Sequence, residues 1–207
     1  AAFANGEPET STPHTHYPCG NGETCSHVGG HNETDKTTFA TAITQDENGY
    51  VWVGDGTQEQ PYQCVLSEGT YYLATDLALE APSNTQFGSI QIMENVTFCL
   101  NGHTITVKAN REAFKITKSV DTPSPTLTLS DCQGGGKITH AEDMLGRGVR
   151  CGDSGGSATF AMFGGEISGN TSAGDGGGVS VVGASFTMKG GSITNNKAEA
   201  TNAVGGG

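Results

Sequence analysis

The chain has 207 residues, a formal charge of −12 and only ten Lys and Arg residues, which are scattered along it. Nucleic-acid binding is disfavoured because no basic stripe exists to meet phosphates. Insertion into a membrane is not expected either, because no apolar run approaches the roughly 20 residues that a spanning helix needs. The 32 glycines are interleaved with Phe, Met, Ile and Val, which favours a fold with many tight turns over a disordered low-complexity chain.

A cluster of His and Cys occupies residues 14–31, which read HTHYPCGNGETCSHVGGH. Imidazole nitrogen and thiolate sulfur are the ligands that zinc prefers, and four of them close a structural site. The segment has almost no apolar residues, so a metal could supply the ordering energy that a core cannot. We predict a structural Zn²⁺ here. The preferred ligands are His16, Cys19, Cys25 and His31, with His14 and His27 as substitutes.

The same cluster suggests two other interpretations. A disulfide between Cys19 and Cys25 in an extracellular protein would leave the histidines merely solvated. A DNA-binding zinc finger would need an amphipathic helix that carries the two histidines, and the short Gly-rich spacing cannot form one.

Short strands are predicted in the middle of the chain. The Asn48-Gly49 and Asp55-Gly56 turns bracket a strand YVWV, whose Trp52 we expect in a core or cap. Residues 63–79 suggest two short strands around a turn at Glu68-Gly69, and residues 89–107 contain three short runs of alternating apolar residues.

One pattern is written twice near the C-terminus. Residues 160–170, FAMFGGEISGN, match residues 186–196, FTMKGGSITNN, at an offset of 26 residues. Related copies with longer offsets come before these two. Ile105 and Ile138 are 33 residues apart, and Ile138 and Ile167 are 29 residues apart. Self-similarity at a regular period indicates a solenoid. A β-sandwich would not require this period.

Each repeat contains three strands of a few residues, separated by Gly and Asn turns. Three strands per turn, each stacked on its counterpart one repeat later, predict a parallel β-helix with coils about 4.8 Å apart. Alternation predicts an inward set of Phe160, Met162, Ile167, Val179, Val181, Phe186, Met188 and Ile193. The predicted outward set is Glu166, Ser168, Ser180, Lys189 and Thr194. Asn170 and Asn196 are expected to stack at a turn that needs a left-handed backbone.

The other cysteines and histidines carry weaker signals. Cys64 and Cys151 are isolated, whereas Cys99 and Cys132 occupy nearby places in consecutive coils, either as small buried hydrophobes or as a bridge. The lone histidines, His103 and His140, are expected at the surface.

The sequence shows no catalytic constellation. A β-helix permits carbohydrate chemistry, but that chemistry needs paired carboxylates at set separations. Glu166 is expected beside Lys137 and Ser192, so no carboxylate pair stacks there. Asp153 and Asp175 lie in loops without the Asp-x-Asp run of a calcium site. No phosphate loop, nucleotide fingerprint or nucleophile elbow is present, and we expect no enzymatic activity.

The motifs IxxN and GGG-Val, at residues 167–170 and 176–179, resemble the FxxN and GG-aliphatic repeats of chlamydial polymorphic membrane proteins. VTFCLNGHTI, LTLSDCQGGGKIT and GGEISGN resemble the surface β-helix proteins of Gram-positive gut bacteria, which often carry an upstream H-x-H-x2-C-G segment similar to residues 14–20. The resemblance implies a secreted or wall-attached protein, adhesin-like or structural, with no established activity. The polar residues 1–13, which begin with small residues, are typical of a chain after signal-peptide removal.

The expected architecture is all-β. Residues 1–48 are predicted to form a polar tail and a small cap stapled by metal or disulfide. Residues 49–207 are predicted to form a right-handed parallel β-helix that stops partway through a coil. Expected partners are the protein itself, by end-to-end stacking, and a glycan or protein of the host or cell surface. The alternative function is a carbohydrate-binding or polysaccharide-cleaving β-helix.

Overall fold

The computed structural model describes residues 14–17, 36–54, 57–59, 63–80, 88–119, 122–201 and 205. These residues form 22 β-strands and no helix. In chain order the strands are β1 (His14–His16), β2 (Thr37–Phe39), β3 (Thr41–Gln45), β4 (Val51–Val53), β5 (Thr57–Glu59), β6 (Gln63–Leu66), β7 (Gly69–Leu73), β8 (Leu77–Glu80), β9 (Ser89–Ile92), β10 (Val96–Cys99), β11 (Thr104–Lys108), β12 (Phe114–Ile116), β13 (Thr126–Ser130), β14 (Lys137–His140), β15 (Val149–Cys151), β16 (Thr159–Met162), β17 (Glu166–Ser168), β18 (Thr171–Ser172), β19 (Val179–Val181), β20 (Ser185–Met188), β21 (Ser192–Thr194) and β22 (Lys197–Ala198).

From β6 onward the strands visit three parallel sheets in a repeating order. Sheet I contains β6, β9, β12, β15 and β19. Sheet II contains β7, β10, β13, β16 and β20. Sheet III contains β8, β11, β14, β17 and β21. Every neighbouring pair among these strands is parallel. The all-β class and the parallel sheets predicted from the repeat are therefore confirmed. The described part of the chain contains no helix with the length and apolarity that crossing a bilayer requires.

The strand register matches the sequence repeat. Phe160 pairs with Phe186 in sheet II, and Ile167 pairs with Ile193 in sheet III, both at the 26-residue offset. Ile138 pairs with both Ile105 and Ile167, as the longer offsets predicted. Residues 63–79 differ from the prediction, because they form three strands rather than two, with Asp76 in the turn between β7 and β8.

Apolar side chains from all three sheets form one buried core. Phe98 of sheet II meets Phe114 of sheet I edge to face, with ring centroids 5.2 Å apart. Cys64 and Cys151 also belong to this core, where they act as small apolar side chains. Burying each Phe, Leu or Ile contributes roughly 1.5–3 kcal/mol, so the core is the main stabilising feature of the coils.

The last coil leaves its apolar side chains partly open. Phe160, Met162 and Ile167 are fully buried, whereas Met188 is 43% exposed and Val181 is 41% exposed. Within the described residues, β19, β20 and β21 each have a parallel neighbour on one side only. An apolar side chain predicted to point inward is thus fully buried only where a further coil packs on its own coil.

Two details of the outward and turn positions differ from the expectation. Ser168 and Ser180 were expected outside but are buried, with 2% and 8% of their surface exposed. Asn170 and Asn196 do not adopt a left-handed backbone; the preceding residues, Gly169 and Asn195, have φ values of 69° and 55°. Because Gly169 and Asn195 adopt the left-handed conformation, the side-chain amides of Asn170 and Asn196 can form hydrogen bonds between neighbouring coils.

The two asparagines form a hydrogen-bonded ladder. Asn170 donates its Nδ2 to the Ile138 carbonyl at 3.2 Å and to Asn196 Oδ1 at 2.8 Å, and Asn196 donates its Nδ2 to the Ile167 carbonyl at 2.8 Å. His140 is buried beside this ladder, which corrects its predicted surface position. Its Nδ1 lies 2.7 Å from Asn170 Oδ1. The predicted Asn stack therefore works through side-chain amides that satisfy backbone carbonyls.

The N-terminal part adds antiparallel strands to the coils. β3 pairs in parallel with β7, and β4 and β5 continue sheet II with antiparallel pairing. The predicted boundary between residues 48 and 49 lies in the turn between β3 and β4. Trp52 is half-buried in β4 and donates its indole N–H to Asp46 Oδ2 at 3.3 Å.

Candidate metal centre

The N-terminal strand pair, β1 and β2, lies against sheet II. β1 pairs with β2 in antiparallel register, with His16 opposite Thr37. Phe39 at the end of β2 packs with Tyr72 and Cys99 in a second buried cluster, separate from the core of the coils. Tyr72 and Cys99 are neighbours in the register of β7 and β10. The strand pair therefore covers side chains of sheet II that would otherwise face solvent.

A group of three potential metal ligands lies at this junction, with His16 and Cys99 buried and Cys132 half-buried. The ligand atoms of His16, Cys99 and Cys132 all lie within 4.8 Å of one another. The Sγ atoms of Cys99 and Cys132 are 3.5 Å apart, well beyond the roughly 2.05 Å of a disulfide. We call these three residues the metal group and the two cysteines the thiol pair. The group could hold a metal ion.

The orientation of the His16 ring suits a ligand. Its Nδ1 lies 2.5 Å from the Tyr17 carbonyl oxygen, and a carbonyl can only accept, so Nδ1 carries the proton. In the neutral ring the lone pair is then on Nε2, which is buried. The ring also stacks on Phe39 with centroids 4.1 Å apart. A hydrogen bond from one ring nitrogen to a carbonyl is the usual way in which proteins orient a metal-binding histidine.

The surroundings of Cys132 favour its protonated thiol. The hydrogen bond to Cys99 raises the pKa of the Cys132 thiol far above its usual range, and burial and the nearby Asp131 carboxylate act in the same direction. Zinc and similar cations bind the thiolate and displace the proton, so metal binding at this group would release protons.

Ser130 provides a further polar atom beside the metal group. It is the register partner of Cys99 in β13 and is fully buried. Its Oγ has no hydrogen-bond partner among the described residues, a state that costs about 1–3 kcal/mol. A hydroxyl beside Cys99 is suited to donate to a metal-bound thiolate, which would satisfy it.

The six ligands predicted from sequence are only partly described. His14 lies in β1 opposite Phe39, and His16 belongs to the metal group. The remaining candidates, Cys19, Cys25, His27 and His31, lie outside the described residues. The predicted site is thus represented in the structure by His16 with two partners from the coils.

Sequence reasoning did not include Cys99 and Cys132 among the metal ligands. It did predict that they occupy nearby places in consecutive coils, and the 3.5 Å separation of their sulfurs confirms this. They are 33 residues apart, the same offset that separates Ile105 from Ile138. The repeat therefore brings them together, but it carries no signal that β1 folds back onto them.

Two other polar residues considered in the sequence, Glu166 and His103, lie outside the metal group. Glu166 lies between Lys137 and Ser192 in sheet III, as predicted. His103 is half-buried, with its Nδ1 3.2 Å from the exposed Asp76 carboxylate.

No protein-family profile, no curated protein and no solved structure matches the chain.

Proposed function

We propose that this chain is a right-handed parallel β-helix that acts as a non-catalytic extracellular surface protein, adhesin-like or structural. The observation that supports the architecture is the cyclic visiting of three parallel sheets by five successive groups of strands. Such a path winds each group of three strands once around the common core. The extracellular assignment rests on the resemblance of the repeats to bacterial surface proteins.

The outward columns of the coils support a binding or structural role over a catalytic one. In sheet II one column contains Thr70, Thr97, Thr128, Ala161 and Thr187. In sheet III, Glu166 has a lysine and a serine as neighbours rather than a second carboxylate. Hydroxyl-rich flat faces can contact glycans or proteins, but they lack the carboxylate pair that glycoside hydrolysis needs.

A glycan array combined with reducing-sugar assays separates the two functional classes. Our proposal predicts no turnover of any polysaccharide, with or without binding to the array. Release of reducing ends by the purified protein would contradict the non-catalytic assignment. Loss of that release in Glu166→Gln would then identify the outward face of sheet III as an active site.

We further propose that the metal group binds a structural Zn²⁺. Two thiolates and an imidazole match the ligand preference of zinc, and structural zinc sites take four ligands. The predicted candidates for the fourth position are Cys19, Cys25, His27 and His31. Zinc at this position would fasten the N-terminal strand pair to sheet II, because His16 belongs to β1 and the thiol pair to the coils.

Elemental analysis of the purified protein tests the zinc assignment. We expect one zinc per chain, and we expect both His16→Gln and Cys132→Ser to lose it. The matched controls are His103→Gln and Cys151→Ser, which change the same residue types outside the metal group and should keep the metal. Full zinc occupancy in His16→Gln would contradict the assignment.

Self-association by end-to-end stacking is proposed as the partner interaction. Two features of the described residues support it: β19, β20 and β21 have a strand neighbour on one side only, and Val181, Val182 and Met188 are exposed. Open strand edges invite pairing. Sedimentation should show concentration-dependent association that Met188→Lys weakens. A monomer at all concentrations would contradict this part of the proposal.

A further inference from the structure

The thiol pair has a second chemistry besides metal binding. Cys99 and Cys132 are on consecutive coils, and their sulfurs are already in hydrogen-bond contact at 3.5 Å. Closing this gap to a bond length of about 2.05 Å needs the two sulfurs to approach by about 1.5 Å. Disulfides form and persist in oxidising extracellular environments.

We propose that Cys99 and Cys132 form a reversible disulfide that competes with the metal ion for the same two sulfurs. The competition between disulfide and metal rests on the zinc proposal above. Formation of the disulfide in metal-free protein rests only on the 3.5 Å separation of the two sulfurs. The two states exclude each other, because disulfide sulfurs no longer provide the thiolates that zinc binds.

The reaction is a thiol–disulfide exchange with a small-molecule disulfide, such as the oxidised form of a thiol tripeptide. A Cys132 thiolate attacks one sulfur of the reagent, so that a mixed disulfide forms and one reagent thiolate leaves. The Cys99 thiolate then attacks the Cys132 sulfur, and the second reagent thiolate leaves. Two protein thiols are oxidised, one reagent disulfide is reduced to two thiols, and the two protons pass from the protein to the leaving groups.

Exposure of the two cysteines sets the order of attack. Cys132 is half-buried, whereas Cys99 is fully buried beneath the N-terminal strand pair. The reagent therefore reaches Cys132 first, and Cys99 acts as the resolving thiol.

Cys132 lies in a turn of the coils, outside the strands that pair. Its Sγ also lies 3.2 Å from Asn101 Oδ1, and Asn101 has a left-handed backbone, with φ of 52°, at the turn after β10. Cys132 follows β13 and is outside any strand. A change of its rotamer therefore breaks no strand pairing, and the cost of the disulfide falls on a turn rather than on a sheet.

The test uses the full-length protein in metal-free and zinc-loaded forms, each incubated with the oxidised reagent. Thiol counting and mass-spectrometric peptide mapping follow the products. In metal-free protein we expect a peptide that links Cys99 to Cys132. In zinc-loaded protein we expect its formation to be at least about tenfold slower, with release of one zinc per linked pair.

Three outcomes would overturn the inference. They are an unchanged thiol count in metal-free protein, linkage of the two cysteines only to Cys19 or Cys25, and equal oxidation rates in protein shown to contain zinc. Cys151→Ser is the matched control for substituting a buried cysteine and should leave the linked peptide unchanged. If elemental analysis finds no zinc site while the linked peptide still forms, the zinc proposal and the competition fail, and the disulfide stands.

Discussion

The coils and the N-terminal strand pair are stabilised in different ways. The coils bury a continuous set of apolar side chains, and each of their strands has its counterpart at a predictable offset. The strand pair contributes a small apolar cluster around Phe39, and its His16 belongs to the metal group, which could hold an ion. Deleting one apolar side chain should therefore lower the stability of the coils most, whereas metal removal should act mainly on the N-terminal strand pair and acid on the turn between β3 and β4.

Phe160→Ala should have the largest effect. Phe160 is fully buried, and a buried Phe→Ala change costs about 3–5 kcal/mol. The matched change is Phe186→Ala, one coil later in the same column, whose ring stacks on Phe160 at 5.1 Å but is only partly buried. We expect about 1–2 kcal/mol there, because less apolar surface is covered. Denaturant unfolding followed by circular dichroism measures both, and equal losses would mean that another element covers the last coil.

Zinc removal should affect the strand pair and spare the coils. At a free zinc concentration 100 times the dissociation constant, a bound ion stabilises the state in which the strand pair lies against sheet II by about 2.7 kcal/mol. Chelation should therefore speed hydrogen exchange in β2 by about 100-fold while β15 in sheet I stays unchanged. His16→Gln should show the fast exchange without chelator, and His103→Gln should behave like the wild type. A uniform change across all strands would show that the metal stabilises the whole fold instead.

Asp131→Asn should have the next largest effect, because this carboxylate fastens two turns of the coils. Its Oδ1 accepts the Gly102 N–H and its Oδ2 accepts the Gly136 N–H, both at 2.7 Å. An amide has only one acceptor oxygen, so one backbone N–H loses its partner, at a cost of about 2 kcal/mol. The more exposed Asp153 accepts the Gly155 N–H in a similar short turn, and Asp153→Asn should change stability by less than about 0.5 kcal/mol. A comparable loss in both variants would show that the burial of Asp131 is unimportant.

The difference between the two regions also explains what the sequence could predict. Phe160, Ile167 and their partners could be assigned because strand stacking reproduces the offset between repeats. The burial of Ser168 and Ser180 could not be predicted, because alternation indicates the direction of a side chain but not whether an outward side chain is covered. The thiol pair followed from the repeat, whereas its association with His16 depends on how a non-repeating segment folds back, and no local pattern encodes that contact.

Acidification should produce the smallest and most local effect, at the turn between β3 and β4. Partial burial raises the pKa of Asp46, but hydrogen bonds from the Tyr50 N–H, the Trp52 indole and the Asn48 N–H outweigh it, so the pKa lies below its ordinary value of 3.8. A carboxyl group with a lowered pKa in the folded state stabilises that state above its unfolded pKa, and the contribution disappears as pH falls through the folded pKa. The turn should therefore loosen only below about pH 4.

Trp52 is the only tryptophan in the chain, and its indole N–H contacts Asp46 at 3.3 Å, so its fluorescence reports this turn directly. We expect an acid transition in Trp52 emission while the circular dichroism of the coils is unchanged. Asp46→Asn is the matched variant, since it keeps the shape of the side chain but cannot titrate, and it should lack the transition. If the variant shows the same transition, the signal comes from another carboxylate. If emission and circular dichroism change together, the turn between β3 and β4 unfolds together with the coils, and the expectation of a local acid effect is wrong.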